Sequence, residues 1–446
     1  MSDIQRKTWT SRLGFVLASA GAAVGLGAIW KFPYMAGTNG GSVFFFPYVV
    51  MSLTVGFTLL IAEIALGRAG RGGIVTAYRN LAGKAWVPMG YLGVITGFMV
   101  LCFYSAIGGW TMGYFVEAVL GQGLVTDQQQ LGAHFGAFVS DPLKALGYQW
   151  LFLILNGLIV AFEVSKGIER VAKVLMPLLF VMMVVLIVRG LTLPDAMEGV
   201  KFLFKFDPSA FTWDAMLQAM GFTFFSLCVG CGCMLTYGSY LKKDINLVSS
   251  CGWITVLTTL ASILGGLMIM PSVFAFHLDP SAGPGLTFIT MPAVFAQLPF
   301  GSLFASIFYL CLVVAAITSS VSMIEIAVSF LVDEHGFTRA RASLVSTIAL
   351  MIVGALPCLS FGPLADLKFF GTKTIFDLFD FFTSNISLPI GGLAILYLAG
   401  CKCWPTISED IRRGSSLSDG AMKLLRFMML VVSPILVLVV LVSGLI

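Results

Sequence analysis

Eleven long apolar stretches make up most of this chain and restrict it to very few folds. They cover, approximately, residues 13–35, 42–67, 88–120, 148–165, 171–190, 213–240, 248–275, 300–331, 341–359, 374–399 and 425–445. A helix of about 20 apolar residues crosses the hydrocarbon core of a bilayer, and each stretch is close to that length or longer. Of the 446 residues, 58% are hydrophobic and only 11% are charged. The sequence therefore predicts an all-α polytopic membrane protein whose partner is the lipid bilayer.

The basic residues between these stretches are unevenly distributed and predict an orientation. With the N-terminus in the cytoplasm, most of the 26 lysine and arginine residues fall in inside loops. This follows the positive-inside rule, and an odd number of spans places the C-terminus outside. We expect a multi-pass protein of the cell (inner) membrane, with residues 1–446 forming a single domain. The net charge of +4 is too small to indicate a nucleic-acid partner.

The first and sixth stretches are each interrupted by glycines at mid-membrane depth. Val24-Gly25-Leu26-Gly27 and Val229-Gly230-Cys231-Gly232 share one pattern. Glycine costs roughly 1 kcal/mol in a helix interior relative to alanine, and backbone freed from helical hydrogen bonds within a bilayer persists only where it lines a cavity or a protein contact. Close helix packing would explain either stretch alone. The pair indicates a transporter with its binding site near the membrane midplane.

The same pairing predicts an internal repeat. If the sixth stretch repeats the first, residues 13–190 and 213–399 are two units of five helices, and 425–445 is an additional helix. Because five is odd, the two units have opposite orientations in the membrane and form an inverted repeat. Nine cysteines lie mostly in apolar stretches, which argues against a disulfide framework. No nucleophile–base pair or metal cluster stands out, so we do not expect an enzyme.

Eight motifs, distributed in order along the whole chain, carry a resemblance to a known family. They are Arg12-Leu-Gly, the run G-x-x-V-G-L-G-x-x-W-K-F-P-Y over 21–34, Asn39-Gly-Gly, Glu63-x-x-x-Gly67-Arg68, Ser165-Lys-Gly-Ile-Glu-Arg170, Thr236-Tyr-x-Ser-Tyr240, Gly283-Pro-Gly-Leu286 and Thr318-Ser-Ser320. The chain resembles the neurotransmitter:sodium symporter family, and its eleven spans resemble a bacterial subgroup. The resemblance implies a LeuT-type fold of 5+5 inverted repeats with unwound helices 1 and 6, and a sodium-coupled transporter.

The resemblance also implies where sodium binds. The family's second sodium site would use the carbonyls and hydroxyls of Gly21, Val24, Ala315, Thr318 and Ser319, oxygen ligands of the kind that hard cations prefer. The first site departs from the family, since Ala28 and Leu257 stand where two asparagines are expected. Chloride-dependent relatives carry polar groups at the positions of Phe222 and Ala261. We therefore predict Na⁺ as the coupling ion, with one ion per cycle and no chloride.

For the organic substrate, the resemblance implies an α-amino acid. Its carboxylate would bind the N-terminus of the half-helix near Leu26 and Gly27 and the hydroxyl of Tyr104. Gly25 replaces the aspartate of monoamine transporters, and Leu26 argues against a longer ω-amino acid. The implied substrate-binding residues are Ala22, Ala23, Leu26, Gly27, Val100, Tyr104, Phe225, Ser226, Cys228, Cys231, Ser319, Ser320 and Met323. Their neutral side chains favour a hydrophobic or aromatic amino acid, without saying which one.

Gate residues are implied at both ends of the site. Lys31 and Asp380 match the outer charged pair, and the inner gate would consist of Arg6 and Asp333, with Trp9 and Tyr240 beside them. Two alternatives to sodium symport remain: a proton-coupled or uncoupled exchanger of the same fold, and a non-transporting ligand sensor or channel. No titratable residue replaces the lost sodium ligands, and residues for both gates are present, which favours symport. Whether the protein is a monomer or a homodimer stays open.

Overall fold

The computed structural model describes residues 8–415 and 417–445 and is almost entirely helical. The helices are α1 (Arg12–Thr38), α2 (Ser42–Gly70), α3 (Ile74–Ala82), α4 (Lys84–Val119), α5 (Gln128–Ser140), α6 (Pro142–Ala161), α7 (Ile168–Leu191), α8 (Ala196–Phe204), α9 (Trp213–Ser226), α10 (Cys233–Ser239), α11 (Leu247–Ala275), α12 (Leu286–Ala296), α13 (Gly301–His335), α14 (Arg339–Leu359), α15 (Ile375–Lys402), α16 (Trp404–Arg412) and α17 (Asp419–Ser443). The only β pairing within the described residues is an isolated bridge between Phe369 and Lys373.

Ten of these helices are long and apolar enough to cross a membrane, counting the described residues alone. The sixth apolar stretch is divided between α9 and α10, with residues 227–232 between them outside any helix. Together with this divided segment, the ten helices account for the eleven predicted spans. The all-α polytopic architecture expected from the sequence is thus confirmed.

The helices differ strongly in how much of their surface the protein covers. In the most apolar window of α1, 89% of the residues are buried, whereas the corresponding window of α17 is 22% buried. Helix α1 packs against α13 and α11, α13 lies along α4, and α10 packs on α2. The broken helix α1 is therefore central, and α17 is peripheral.

Short helices fill the segments that the hydropathy pattern left as loops. Helices α5, α8 and α12 lie in the segments 121–147, 191–212 and 276–299, which the predicted orientation places outside, and α3 and α16 lie at the opposite end. Local capping fixes several of these boundaries: the Asp127 side chain accepts a hydrogen bond from Gln129 N at the start of α5, and Asp141 does the same for Leu143 and Lys144 at the start of α6. Such caps satisfy the free N–H groups of a first helical turn.

Candidate functional site

Helix α1 is broken at Gly25, whose backbone is far from helical (φ −18°, ψ −161°). A Cβ at this position would lie 2.5 Å from Ser319 Cβ and 2.8 Å from Tyr104 Oη. The contact explains why glycine is required here. The backbone N–H of Leu26, just past the break, donates a hydrogen bond to Tyr104 Oη at 2.9 Å. Helices α1, α4 and α13 therefore meet at the break.

The segment between α9 and α10 is held open by positive φ angles and by one carboxylate. Cys228, Gly230 and Gly232 have φ of 53°, 101° and 84°. Glu63 of α2, fully buried, accepts hydrogen bonds from Gly230 N at 2.8 Å and from Met234 N at 3.1 Å. A carboxylate inside an apolar span is expected to find such backbone donors, and Glu63 does so here. A buried carboxylate is stable only with such partners.

A small cavity lies between the two breaks, and every side chain that lines it is uncharged. Its lining residues are Ala22, Ala23, Gly25, Gly27, Tyr104, Phe225, Cys228, Ser319 and Met323. Eight of the thirteen predicted substrate-binding residues are among them, and Gly25 is the addition. The breaks in α1 and between α9 and α10, which the sequence predicted from their glycines, thus face a common space.

Five predicted substrate-binding residues do not line this cavity. The N–H group of Leu26 donates to Tyr104, which lines the cavity. Val100 lies about one turn before Tyr104 on α4. Ser226 donates its hydroxyl to Thr223 O at 3.2 Å, and the carbonyl of Cys231 lies against Gly93 of α4. Ser320 points away from the cavity, because its hydroxyl donates to Asn156 Oδ1 of α6 at 2.6 Å.

The residues predicted for the second sodium site lie on the facing surfaces of α1 and α13. A Cβ at Gly21 would be 3.2 Å from Thr318 Cβ, so the two helices are in close contact at this level. Thr318 and Ser319 are almost fully buried, with 6% and 4% of their surface exposed, and Thr318 Oγ1 donates to Ala315 O at 3.0 Å. The donor set consists of carbonyl and hydroxyl oxygens. It fits a hard monovalent cation better than a transition metal.

Near the predicted first sodium site, α11 turns a hydroxyl toward α2. Ser262, rather than Ala261, faces Tyr48, and their hydroxyl oxygens are 2.8 Å apart. Thr258, one turn earlier on the same face, is fully buried, whereas Leu257 is partly exposed. Ala261, next to Ser262, is fully buried as well, and the positions assigned to Leu257 and Ala261 stay predictions. Ala28 is fully buried, with its carbonyl packed against Gly265.

The predicted outer gate residues line one cavity but do not touch. The ammonium of Lys31 lies 4.2 Å from the centroid of the Phe225 ring. Asp380 accepts a hydrogen bond from Ser384 Oγ at 2.9 Å, and the described residues include no ion pair between Lys31 and Asp380. The cavity that they line has a volume of about 560 Å³. Phe225 borders both this cavity and the smaller one, so it separates them.

The predicted inner gate is described in part, because Arg6 lies outside the described residues. Asp333 accepts a hydrogen bond from Gly73 N at 2.7 Å, which ties the end of α13 to the start of α3. Trp9 is fully buried, and its Nε1 donates to Tyr237 O at 2.9 Å. The Trp9 ring also makes edge contacts with the rings of Tyr237 and Tyr240. The chain just before α1 thus closes the inner end of the bundle.

A buried ion pair that the sequence analysis missed reinforces this closure. Glu325 of α13 is fully buried, accepts a hydrogen bond from Tyr240 Oη at 2.7 Å, and pairs with Arg339 of α14 at 2.5 Å. On the other side, Glu169 of α7 accepts a hydrogen bond from Thr10 N at 2.8 Å. A carboxylate inside an otherwise apolar span was the available signal for Glu325, since such groups are costly without partners.

Comparison with known proteins identifies the family. The model of the Sodium:neurotransmitter symporter family matches residues 6–125 and 144–446. This chain belongs to that family. An uncharacterized sodium-dependent transporter of Bacillus subtilis is 40% identical over 442 residues, covering 99% of this chain and 98% of the relative. A sodium-dependent transporter of Haemophilus influenzae is 31% identical over 456 residues, covering 99% and 98%.

A relative of known substrate and a solved structure extend the comparison. The human sodium- and chloride-dependent GABA transporter 2 is 27% identical over 446 residues, with 89% of this chain and 72% of the relative covered. The crystal structure of MhsT in complex with L-phenylalanine matches with a TM-score of 0.90 at 37% identity, covering 98% of this chain and 100% of MhsT. This member of the symporter family is therefore a sodium-dependent membrane transporter with the LeuT-type fold, and it is not an enzyme.

Proposed function

We propose that this symporter carries a neutral, hydrophobic or aromatic α-amino acid together with one Na⁺ bound between α1 and α13, without chloride. The observation that carries the proposal is the uncharged cavity at the break in α1, beside Tyr104 and the start of the outer half-helix, where Leu26 N donates to Tyr104 Oη. Backbone N–H groups at a helix N-terminus bind a carboxylate, and the Tyr104 hydroxyl adds a donor. The carbonyls of the unwound stretches would accept from the substrate ammonium.

The side-chain end of the cavity supports a neutral substrate. Phe225, Cys228 and Met323 line it, and no charged residue does. Burying a charged substrate side chain there would leave it without a partner, which is costly in a low-dielectric site. The likeness to MhsT, whose structure holds L-phenylalanine, points to the same class of substrate.

We propose the number of coupled sodium ions from the oxygen atoms that each of the two predicted sodium sites offers. The α1–α13 region combines backbone carbonyls with two buried hydroxyls, Thr318 and Ser319. At the other predicted site Ala28 supplies no side-chain oxygen at a position where the resemblance leads one to expect an asparagine. This difference favours a single sodium ion, bound at the second site.

We base the proposed chloride independence on the hydroxyl groups of Ser226 and Ser262, which already donate hydrogen bonds to backbone carbonyls. Ser226 donates to Thr223 O, Ser262 donates to Thr258 O, and the ring of Phe222 packs on that of Tyr48 with centroids 5.0 Å apart. An anion there would have to displace these contacts. Replacing chloride by gluconate should therefore leave uptake unchanged in proteoliposomes. Loss of uptake without chloride, together with a further loss in Ser262→Ala, would assign an anion site to the Tyr48–Ser262 pair.

We also propose how the molecule works in its membrane. The positive-inside rule favours a cytoplasmic N-terminus and an outer C-terminus in the cell membrane. Residues 13–190 and 213–399 would then act as inverted five-helix repeats that rock about the central site. In this structure the outer cavity is wide and the inner end is closed around Trp9, an arrangement suited to binding from outside.

A competition assay tests the substrate class. Purified protein would be saturated with labelled L-phenylalanine in sodium, and unlabelled compounds would be added at equal concentration. We expect neutral apolar L-amino acids to compete, and GABA, biogenic amines and charged amino acids to fail. Tyr104→Phe should weaken binding about 10- to 100-fold, the loss of one hydrogen bond to a charged group. Stronger competition by GABA or by an amine would contradict the proposal.

A further inference from the structure

Aromatic rings and two cations surround the point where α15 ends. Trp86, at the start of α4, stacks on Tyr397 with ring centroids 5.5 Å apart, and Lys402 Nζ lies 5.8 Å from the Trp86 centroid. Arg426 of α17 lies over the Trp404 ring at 5.2 Å and donates from Nε to Gly400 O at 3.1 Å. We call Trp86, Tyr397, Lys402, Trp404 and Arg426 the basic–aromatic edge.

The two cations of this edge are exposed and have no carboxylate partner in the described part of the chain. Nearby carboxylates are engaged by other arginines. The pairs are Glu409–Arg413 at 2.5 Å, Asp410–Arg68 at 2.8 Å and Asp419–Arg412 at 2.6 Å. Lys402 and Arg426 therefore remain without a carboxylate among the described residues, and each lies against an aromatic face. The C-terminal end of α15 attracts cations, and Lys402 of the same helix lies there. Arg426 belongs to α17, so the dipole of α15 alone does not account for its position.

The edge lies where the protein surface passes from polar to apolar. Helix α15 ends here and α17 begins nearby, so both cations are at one membrane boundary, where tryptophan and tyrosine are enriched. Beyond Arg426, exposed apolar side chains continue along α17, including Phe427 (51% exposed) and Leu430 (38%). Tyr397 is 49% exposed on the adjacent face of α15. An acyl chain would find a continuous apolar surface there.

We propose that the basic–aromatic edge binds the phosphate headgroup of an anionic phospholipid, with the acyl chains lying along α15 and α17. Charge complementarity carries the assignment: two cations without carboxylate partners face the boundary at which the predicted orientation places the cytoplasmic leaflet, the anionic one. A lipid bound here would connect the start of α4, the end of α15 and the start of α17. The site is separate from the transport cavity and does not depend on which amino acid is carried.

Native mass spectrometry of the full chain tests the site with phosphatidylglycerol and phosphatidylcholine. The wild-type protein should retain phosphatidylglycerol preferentially, and Lys402→Gln/Arg426→Gln should lower that preference roughly thirtyfold, from the attraction of two surface cations for anionic lipid. Arg412→Gln/Arg413→Gln removes the same charge from paired positions and should change little. Equal loss in both double variants, or no preference in the wild type, would overturn the proposal.

Two further measurements keep the test independent of the substitutions. Brominated phosphatidylglycerol should quench tryptophan fluorescence of the wild-type protein in nanodiscs more than brominated phosphatidylcholine, since Trp86 and Trp404 would contact its chains. Equal quenching would contradict the site. Millimolar inorganic phosphate should not displace the lipid, and displacement would assign the edge to a free anion instead. Sodium-dependent amino-acid binding should be unchanged in the Lys402→Gln/Arg426→Gln variant, which shows that it is folded.

Discussion

A single methyl group at residue 25 is expected to abolish substrate binding. In Gly25→Ala the new Cβ would lie 2.5 Å from Ser319 Cβ and 2.8 Å from Tyr104 Oη, closer than side-chain carbons approach. The break in α1 would have to shift, and the Tyr104 hydroxyl would be displaced. Gly392→Ala is the matched control, since its nearest neighbour would be 3.8 Å away. Binding of labelled amino acid should vanish in the first variant and persist in the second, and retained binding in Gly25→Ala would contradict this packing.

At the scale of residues, the sequence predicted positions in the broken segments better than side-chain directions in the regular helices. The glycines around Gly25 and the carboxylate Glu63 were predictable because broken backbone in a bilayer needs both. The directions of Ser320 and Ser262 were not. One residue rotates a side chain by about 100° around a helix axis, and an apolar stretch such as 248–275 contains no polar periodicity that would fix the register.

At the scale of elements, the junction between α9 and α10 is held by one side chain of another helix, Glu63 of α2. Glu63→Gln should lower the free energy of unfolding by roughly 2–3 kcal/mol, because the amide replaces one acceptor oxygen with a donor facing a backbone N–H. Thermal unfolding in detergent would measure the loss. Glu198→Gln is the control, since Glu198 is exposed and pairs only with Lys201 within its own helix. Equal stability of the two variants would show that Glu63 does not hold the junction.

The long helices were predictable from hydropathy, and the short ones were not. Helices α3, α5, α8 and α16 lie in segments whose composition resembles loops, and each is held by contacts with residues distant in the sequence. Asp333 at the end of α13, for example, caps the start of α3 through Gly73 N. Likewise, the Glu325–Arg339 pair joins two helices across the inner end. Such partners become visible only once the helices are packed.

For the whole molecule, the central claim is that one sodium ion between α1 and α13 drives uptake. The family, the number of spans and the two breaks followed from the sequence. The relative positions of the two gates did not, because the distance between Lys31 and Asp380 depends on how the repeats are rotated. The structure has a wide cavity beside Lys31 and Asp380 and a closed end around Trp9, and we propose that sodium and substrate enter through the cavity.

The most direct test is uptake of labelled amino acid into proteoliposomes as external sodium is varied. We predict a hyperbolic dependence with a Hill coefficient close to one, and loss of sodium stimulation in Thr318→Ala/Ser319→Ala. Ser306→Ala is the control, because that hydroxyl lies more than three turns before Thr318 on α13 and donates to Ser302 O of its own helix. A sigmoidal dependence would mean that a second ion binds near Ser226 and Thr258. Uptake that does not respond to sodium would contradict the central claim.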